Sequence, residues 1–304
     1  MRPPTNGLSR VTNPRSPHSI AQVPPRRSRK QRTWGCPLPW ACTRWAGGPA
    51  RFGAALTVLV LNACQPRLSI GEWTCSEDGT PSTIPETTAA VSIPWSSGFE
   101  NRFCDYTELA GFCYADPAAS STELVTSPVH SGRYAAAFTV KTDAGGDAQT
   151  RCVRQGTLPT AAYYGAWYYI PEPTKPTGNW NLFHFRSGDE LTATHGLMDV
   201  SLVAEGSDLH LGVFGVRHVR IGEALNPPPV PIGSWFHVQL FFKRAADMTG
   251  EVALYQDGEQ LFDVTDLVTD DASLGQWYVG NLATDLSPST ATLYVDDVTL
   301  SSSL

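Results

Sequence analysis

Between Gly132 and Ser301 apolar and polar residues alternate in short runs, the period of a strand that turns one face to a core. The cleanest run, Ser234 to Arg244, sets Phe236, Val238, Leu240 and Phe242 against Trp235, His237, Gln239 and Lys243. Leu197 to Glu205 sets Met198, Val200, Leu202 and Ala204 against Asp199 and Ser201. Trp180 to Ser187 sets Phe183 and Phe185 against Trp180, His184 and Arg186, and Asp208 to Val216 sets Leu209, Leu211 and Val213 against His210. Gly132 to Asp143 alternates as well, while Ala161 to Ile170 is aromatic throughout and stops at Pro171. Glu251 to Gln256 turns through Asp257-Gly258, a hairpin signal, into Glu259 to Val264, and Thr290 to Ser301 closes the chain. No window carries a helical period of any length. The pattern predicts an all-β fold of roughly ten strands, a two-sheet antiparallel β-sandwich.

The sandwich accounts for residues 96–304, and what precedes it has a different character. Residues 1–63 contain no Asp or Glu and carry ten basic residues. Residues 1–43 are read as a disordered or mis-started leader. Residues 44–63 are read as a signal peptide, because Arg44 and Arg51 precede a short apolar run, Phe52 to Leu61. That run is well short of the roughly 20 residues a spanning helix needs. Leu61-Asn62-Ala63-Cys64 resembles the lipobox of bacterial lipoproteins, which implies lipidation of Cys64. Residues 64–95, rich in Ser, Thr and Pro, read as a tether. The expected address is the bacterial cell envelope, at the outer membrane or cell surface, with secretion as the alternative. The membrane would be met through the lipid only, and a monomer is expected.

Beyond Cys64 stand 12 basic against 29 acidic residues, a net of −17. So acidic a body argues against nucleic acid as a partner. Four cysteines remain there, Cys75, Cys104, Cys113 and Cys152, an even number suited to two disulfides in an oxidising compartment. Of the three pairings, Cys104 with Cys113 and Cys75 with Cys152 is the favoured one.

Gly233-Ser234-Trp235-Phe236-His237-Val238-Gln239-Leu240, followed by Glu251-Val252-Ala253-Leu254-Tyr255-Gln256-Asp257-Gly258, resembles a hairpin of concanavalin A-like jelly rolls. Ser97-Gly98-Phe99-Glu100 with Ser131-Gly132-Arg133-Tyr134-Ala135 resembles the entry strands of jelly-roll carbohydrate-binding modules and polysaccharide lyases. Leu293 to Leu300 resembles their closing strand. The resemblance covers residues 96–304 and implies a concanavalin A-like jelly roll of the LamG-like or polysaccharide-lyase-like kind. It also implies a possible structural Ca²⁺ held by Glu100 with Asp296 or Asp297, although an Asp pair guarding a sheet edge reads equally well. No other cofactor is required.

Residues opposite the core positions must share the outer side of their sheet. Trp180, His184, Arg186, Asp199, His210, Trp235, His237, Gln239 and Lys243 are expected to gather on one concave face. Aromatic planes, imidazoles and guanidinium forks are what an oligosaccharide groove uses. The three His give no zinc-ligand spacing. Retaining glycosidases on this fold place two acids on one strand, and Met198 to Leu202 offers only Asp199. Lyases on this fold use Arg, Gln or Asn, His and Tyr. Arg151-Cys152-Val153-Arg154, Phe183-His184-Phe185-Arg186 and Trp277-Tyr278-Val279-Gly280-Asn281 depart from their usual motifs. Glycan binding without turnover is therefore the leading expectation, followed by polysaccharide lyase activity and by a structural or adhesive envelope role. For a lyase, His184 or His237 would be the base, Tyr169 the acid and Arg186 the carboxylate partner.

Overall fold

The structure, a computed structural model, describes residues 89–143, 146–190, 194–215, 218–270 and 272–304. The leader, the signal sequence, Cys64, Cys75 and most of the tether lie outside these residues. The described strands are β1 (Trp95–Ser97), β2 (Phe112–Ala115), β3 (Ser120–Val125), β4 (Ala135–Lys141), β5 (Ala148–Gly156), β6 (Ala161–Tyr169), β7 (Lys175–Pro176) and β8 (Trp180–Gly188). They continue with β9 (His195–Glu205), β10 (Asp208–Gly215), β11 (Trp235–Lys243), β12 (Gly250–Gln256), β13 (Glu259–Leu267), β14 (Leu274–Ala283), β15 (Leu286–Ser287) and β16 (Thr290–Ser301).

All the pairings between these strands are antiparallel, and two large sheets result, with β15 and β7 forming a separate two-stranded pair. One runs β13-β12-β11-β6-β16-β4-β3 with β1 added beside β16; the other runs β10-β9-β8-β14-β5-β2. The fold is the all-β sandwich that the alternation predicts. Phe236, Val238, Leu240 and Phe242 from the first sheet and Phe183, Phe185, Met198 and Val200 from the second all enter one core. Aromatic rings key the two layers together. Tyr164 of β6 meets Trp277 of β14 edge-on at 5.0 Å and Phe185 of β8 at 4.9 Å. Fully burying each such side chain contributes about 1.5–3 kcal/mol.

Several polar groups in the core are held by named partners, as burial favours. Asn281, wholly buried on β14, donates from Nδ2 to the carbonyls of Phe138 (2.9 Å) and Ala291 (3.2 Å) on the opposite sheet. Its Oδ1 accepts the indole N–H of Trp180 at 2.9 Å. Arg154 sits in the core with its guanidinium 4.1 Å above Trp95 and its Nη2 2.5 Å from Glu108. Arg244 pairs with buried Asp270 and donates to the carbonyls of Leu158 and Ala272.

Two readings of the sequence are corrected here. Cys113 pairs with Cys152, not with Cys104. The reason is register: Cys113 and Cys152 are direct cross-strand partners on β2 and β5. Cys104 is itself disulfide-bonded. The other correction concerns the end of the tether. Val91 is buried and donates its N–H to Thr157 (3.1 Å), and Trp95 begins β1, so these residues pack on the sandwich.

Candidate active site

The outer face of the six-stranded sheet carries a groove of about 820 Å³. Its floor is set by alternation. On β8, β9, β14 and β5 the residues that alternate with Phe183, Val200, Trp277 and Cys152 must face outward. Cross-strand register then brings them side by side. His184 pairs with Asp199 on one flank and with Tyr278 on the other, while Arg186 pairs with Gln276 and Tyr114 with Arg151.

Arg151 is 6% exposed and forms the centre of the polar floor. Its Nε and Nη2 donate to the Tyr114 hydroxyl at 3.1 and 2.9 Å, and Nη2 also donates to Gln149 Oε1 at 2.5 Å. The guanidinium lies 4.5 Å above the Tyr278 ring. Nη1 is buried and has no hydrogen-bond partner. A buried, unpaired guanidinium nitrogen is costly, and an anionic ligand is the natural complement of its remaining N–H donors. Across β14 Gly280 faces this residue at φ +145°, and a Cβ there would stand 2.8 Å from Arg151 Cα. Only glycine leaves the strand room to stay in place.

His184 Nδ1 is hydrogen-bonded to Asp199 Oδ1. With Nδ1 engaged, Nε2 is the nitrogen left for a ligand. Burial pushes the His184 pKa below its ordinary 6.5; Asp199 opposes that shift, and Arg151 and Arg186 reinforce it. The imidazole is therefore neutral at pH 7, which a base requires. Tyr278 stands 5.3 Å from His184, ring centroid to ring centroid, and its hydroxyl donates to Gln276 Oε1 at 2.8 Å. Burial first, then Tyr114, pushes its pKa above 10.0, against the lowering by Arg151 and Arg186. A neutral phenol thus faces a neutral imidazole. Arg186 Nε donates to Thr194 Oγ1 at 2.8 Å, and Thr194 Oγ1 donates on to Gln276 at 3.1 Å.

A family model for polysaccharide lyases matches residues 94–299. The chain belongs to the polysaccharide lyase family. Among solved structures, an endo-β-1,4-glucuronan lyase from the fungus Trichoderma reesei is 17% identical with a TM-score of 0.51, over 63% of this chain and 90% of that one. The alginate lyase Aly36B is 11% identical with a TM-score of 0.49, over 69% and 98%. The cellulose induced protein Cip1 is 12% identical with a TM-score of 0.47, over 68% and 97%. At these identities the likeness is one of fold. No curated protein matches the chain in sequence.

The expected single face proves to be two faces. His184, Arg186 and Asp199 line the groove. Trp235, His237, Gln239 and Lys243 lie on β11 in the other sheet, and Tyr169 lies beside them on β6. The alternation assigned each side chain to an inner or outer face, yet it could not say that β8 and β11 belong to opposite layers. His237 and Tyr169 are therefore remote from His184. Trp180 is fully buried, its indole spent on Asn281, so it offers no stacking plane. His210 shares the outer side of its sheet but is 9% exposed, with Nδ1 3.3 Å from the Pro228 carbonyl.

Glu100, Asp296 and Asp297 do converge, but their oxygens take protein donors. Glu100 accepts the N–H groups of Arg133 (2.7 Å) and Tyr134 (2.9 Å), and Asp296 accepts those of His130 (2.9 Å) and Ser131 (3.2 Å). Asp297 accepts from the Ser131 hydroxyl (2.9 Å) and contacts His130 Nδ1 (2.6 Å). Among the described residues no group of three or more His, Cys, Asp or Glu is arranged to hold a metal ion. Asp296 and Asp297 tie the 130–134 segment to β16, and Glu100 ties it to the turn after β1. Arg151, Tyr114, Gln149, Tyr278 and Gln276 were absent from the sequence-derived candidates; the fragments around Arg151 and Tyr278 were the available signal.

Proposed function

We propose that the groove cleaves a uronate-containing polysaccharide by β-elimination. The observation that carries the reading is the unpartnered Nη1 of Arg151, buried on the groove floor beside a neutral His184 and a neutral Tyr278. Arg151 receives the substrate carboxylate, and with Gln149 and Tyr114 holding its other nitrogens the fork is fixed before substrate arrives. His184 Nε2 takes the proton from C5, the electron pair left there becomes the C4–C5 double bond, and the C4–O4 bond breaks. Tyr278 delivers its hydroxyl proton to the departing O4, and the proton on His184 restores the phenol. Asp199 keeps the proton on Nδ1 and steadies the imidazolium formed in between. Arg186 lies along the groove and suits a neighbouring uronate.

A binding-only protein would not need a base and an acid beside an anion fork, so turnover is the better reading of this arrangement. The relative that acts on β-1,4-glucuronan makes that polymer the first to try, with alginate second. The test is ultraviolet absorbance of the unsaturated product with each polymer. Growth of that signal in the parent protein and its loss in Arg151→Ala supports the proposal; retention of polymer with no new chromophore returns the protein to a binding role. Export and lipidation at Cys64 belong to the same proposal, on the support of the signal-like sequence alone. Metabolic labelling with a palmitate analogue, lost in Cys64→Ser, is the check.

A further inference from the structure

The far side of the molecule, the outer face of the eight-stranded sheet, carries a second constellation that the groove does not use. Tyr163, Gly165 and Trp167 point outward from β6 at successive alternate positions. Trp167 is stacked by His130 at 3.8 Å and by His237 at 5.1 Å. Tyr163 packs against Phe241 at 4.8 Å. Between these two aromatic groups Gly165 has no side chain, and the side chains of Thr299 and His237 close over its position. Four residues of strand separate the two groups at their Cα atoms by roughly 13 Å.

Register fixes what surrounds this position. Gly165 pairs with Gln239 on one side and with Thr299 on the other. A Cβ on Gly165 would stand 2.8 Å from Thr299 Oγ1 and 3.0 Å from His237 Nε2, so both atoms lean over the vacant position. Gln239 is 8% exposed. None of the Gln239 amide, the Thr299 hydroxyl or the His237 ring nitrogens makes a hydrogen bond to another described residue, although the His237 backbone N–H is taken by Asp257 at 2.7 Å. Three uncommitted polar groups therefore converge on one patch between aromatic groups, the arrangement that reads sugar hydroxyls while covering C–H surfaces.

We propose that the polar patch of Gln239, His237 and Thr299 over Gly165 is a second saccharide site, for an uncharged sugar ring, on the face opposite the groove. Charge selects the ring. Asp257 lies against His237, and Glu251 and Asp263 lie near Tyr255, outnumbering Lys243 at the end of β11. A uronate would be repelled there and drawn to Arg151 instead. Burial lowers the His237 pKa, so this imidazole too is neutral at pH 7 and adds no anion-binding charge. The site is independent of the lyase reading, since it binds without turnover.

The test is calorimetric titration of the full chain with cellohexaose, xylohexaose and mannohexaose, and with oligoglucuronate for contrast. At least one neutral oligosaccharide should bind the parent protein, and Gln239→Ala should weaken it about tenfold with the melting temperature unchanged. Arg151→Ala should leave that binding intact, whatever it does to turnover. The proposal is overturned by no binding of any neutral oligosaccharide, by binding indifferent to both Gln239→Ala and His237→Ala, or by binding lost in Arg151→Ala. It is equally overturned if Gln239→Ala changes only self-association in sedimentation, which would make the face a contact between copies.

Discussion

Arg151 concentrates the chemistry of the groove in one side chain because three of its contacts are fixed and one nitrogen is left over. Arg151→Ala is expected to lower kcat by about 10² to 10³, the loss typical of removing a preorganised donor. Arg151→Lys should not restore it, since an ammonium cannot bond Tyr114 and Gln149 and still offer a fork. His184→Ala should cost about 10² to 10⁴ in kcat. The pH profile has a definite sign. A base works deprotonated, so activity should rise with pH through the His184 pKa, which lies below 6.5, and be level by neutrality. The alkaline limb belongs to Tyr278, which works protonated, and falls above 10.0. A kcat/KM profile that still climbs from pH 7 to 8 would remove His184 as the base.

At the level of elements, the strands most legible in the sequence were those with one wet face. β9 and β11 alternate because each has one core face and one outer face, and their extents were readable. β14 was not, since every residue from Leu274 to Ala283 is buried and its outward positions, Gln276 and Tyr278, are packed among neighbouring side chains rather than wet. β5 was hidden differently, by polar residues such as Thr150 and Arg154 turned inward. These two strands carry Arg151, Gln149, Tyr278 and Gln276, so the overlooked strands and the overlooked site residues have one cause. Local periodicity also cannot report which strand joins which layer, which is why groups from β8 and β11 looked like neighbours. The short edge strand β2 is held to β5 by Cys113–Cys152, one pair away from Tyr114 and Arg151. Replacing both cysteines with Ser should therefore raise KM more than it lowers kcat; an unchanged KM would show that β5 alone fixes Arg151. The buried Arg244–Asp270 pair anchors the chain just before β14. Asp270→Ala should destabilise by about 3–5 kcal/mol in chemical denaturation, because Arg244 would be left buried and unpaired.

The whole molecule is acidic, −17 beyond Cys64, and yet its groove presents Arg151 and Arg186. A polyuronate approaching it is repelled at long range and attracted at contact. Salt screens the first more than the second once charges are more than about 8 Å apart at physiological strength. KM for a polyuronate should fall as salt rises from near zero to that range, and a KM that rises throughout would place the steering elsewhere. The two outer faces also differ in charge and in ligand, which lets one sandwich address two sugars without competition. Finally, β14 lies between β8 and β5 and each of its residues from Leu274 to Ala283 is buried. Its amides should be the last to exchange with deuterium, opening only when the entire sheet does. Tyr278 rides on that strand, so warming cannot loosen the acid ahead of the fold. Thermal inactivation and global melting should then be a single event, with no interval of folded, inactive protein between them.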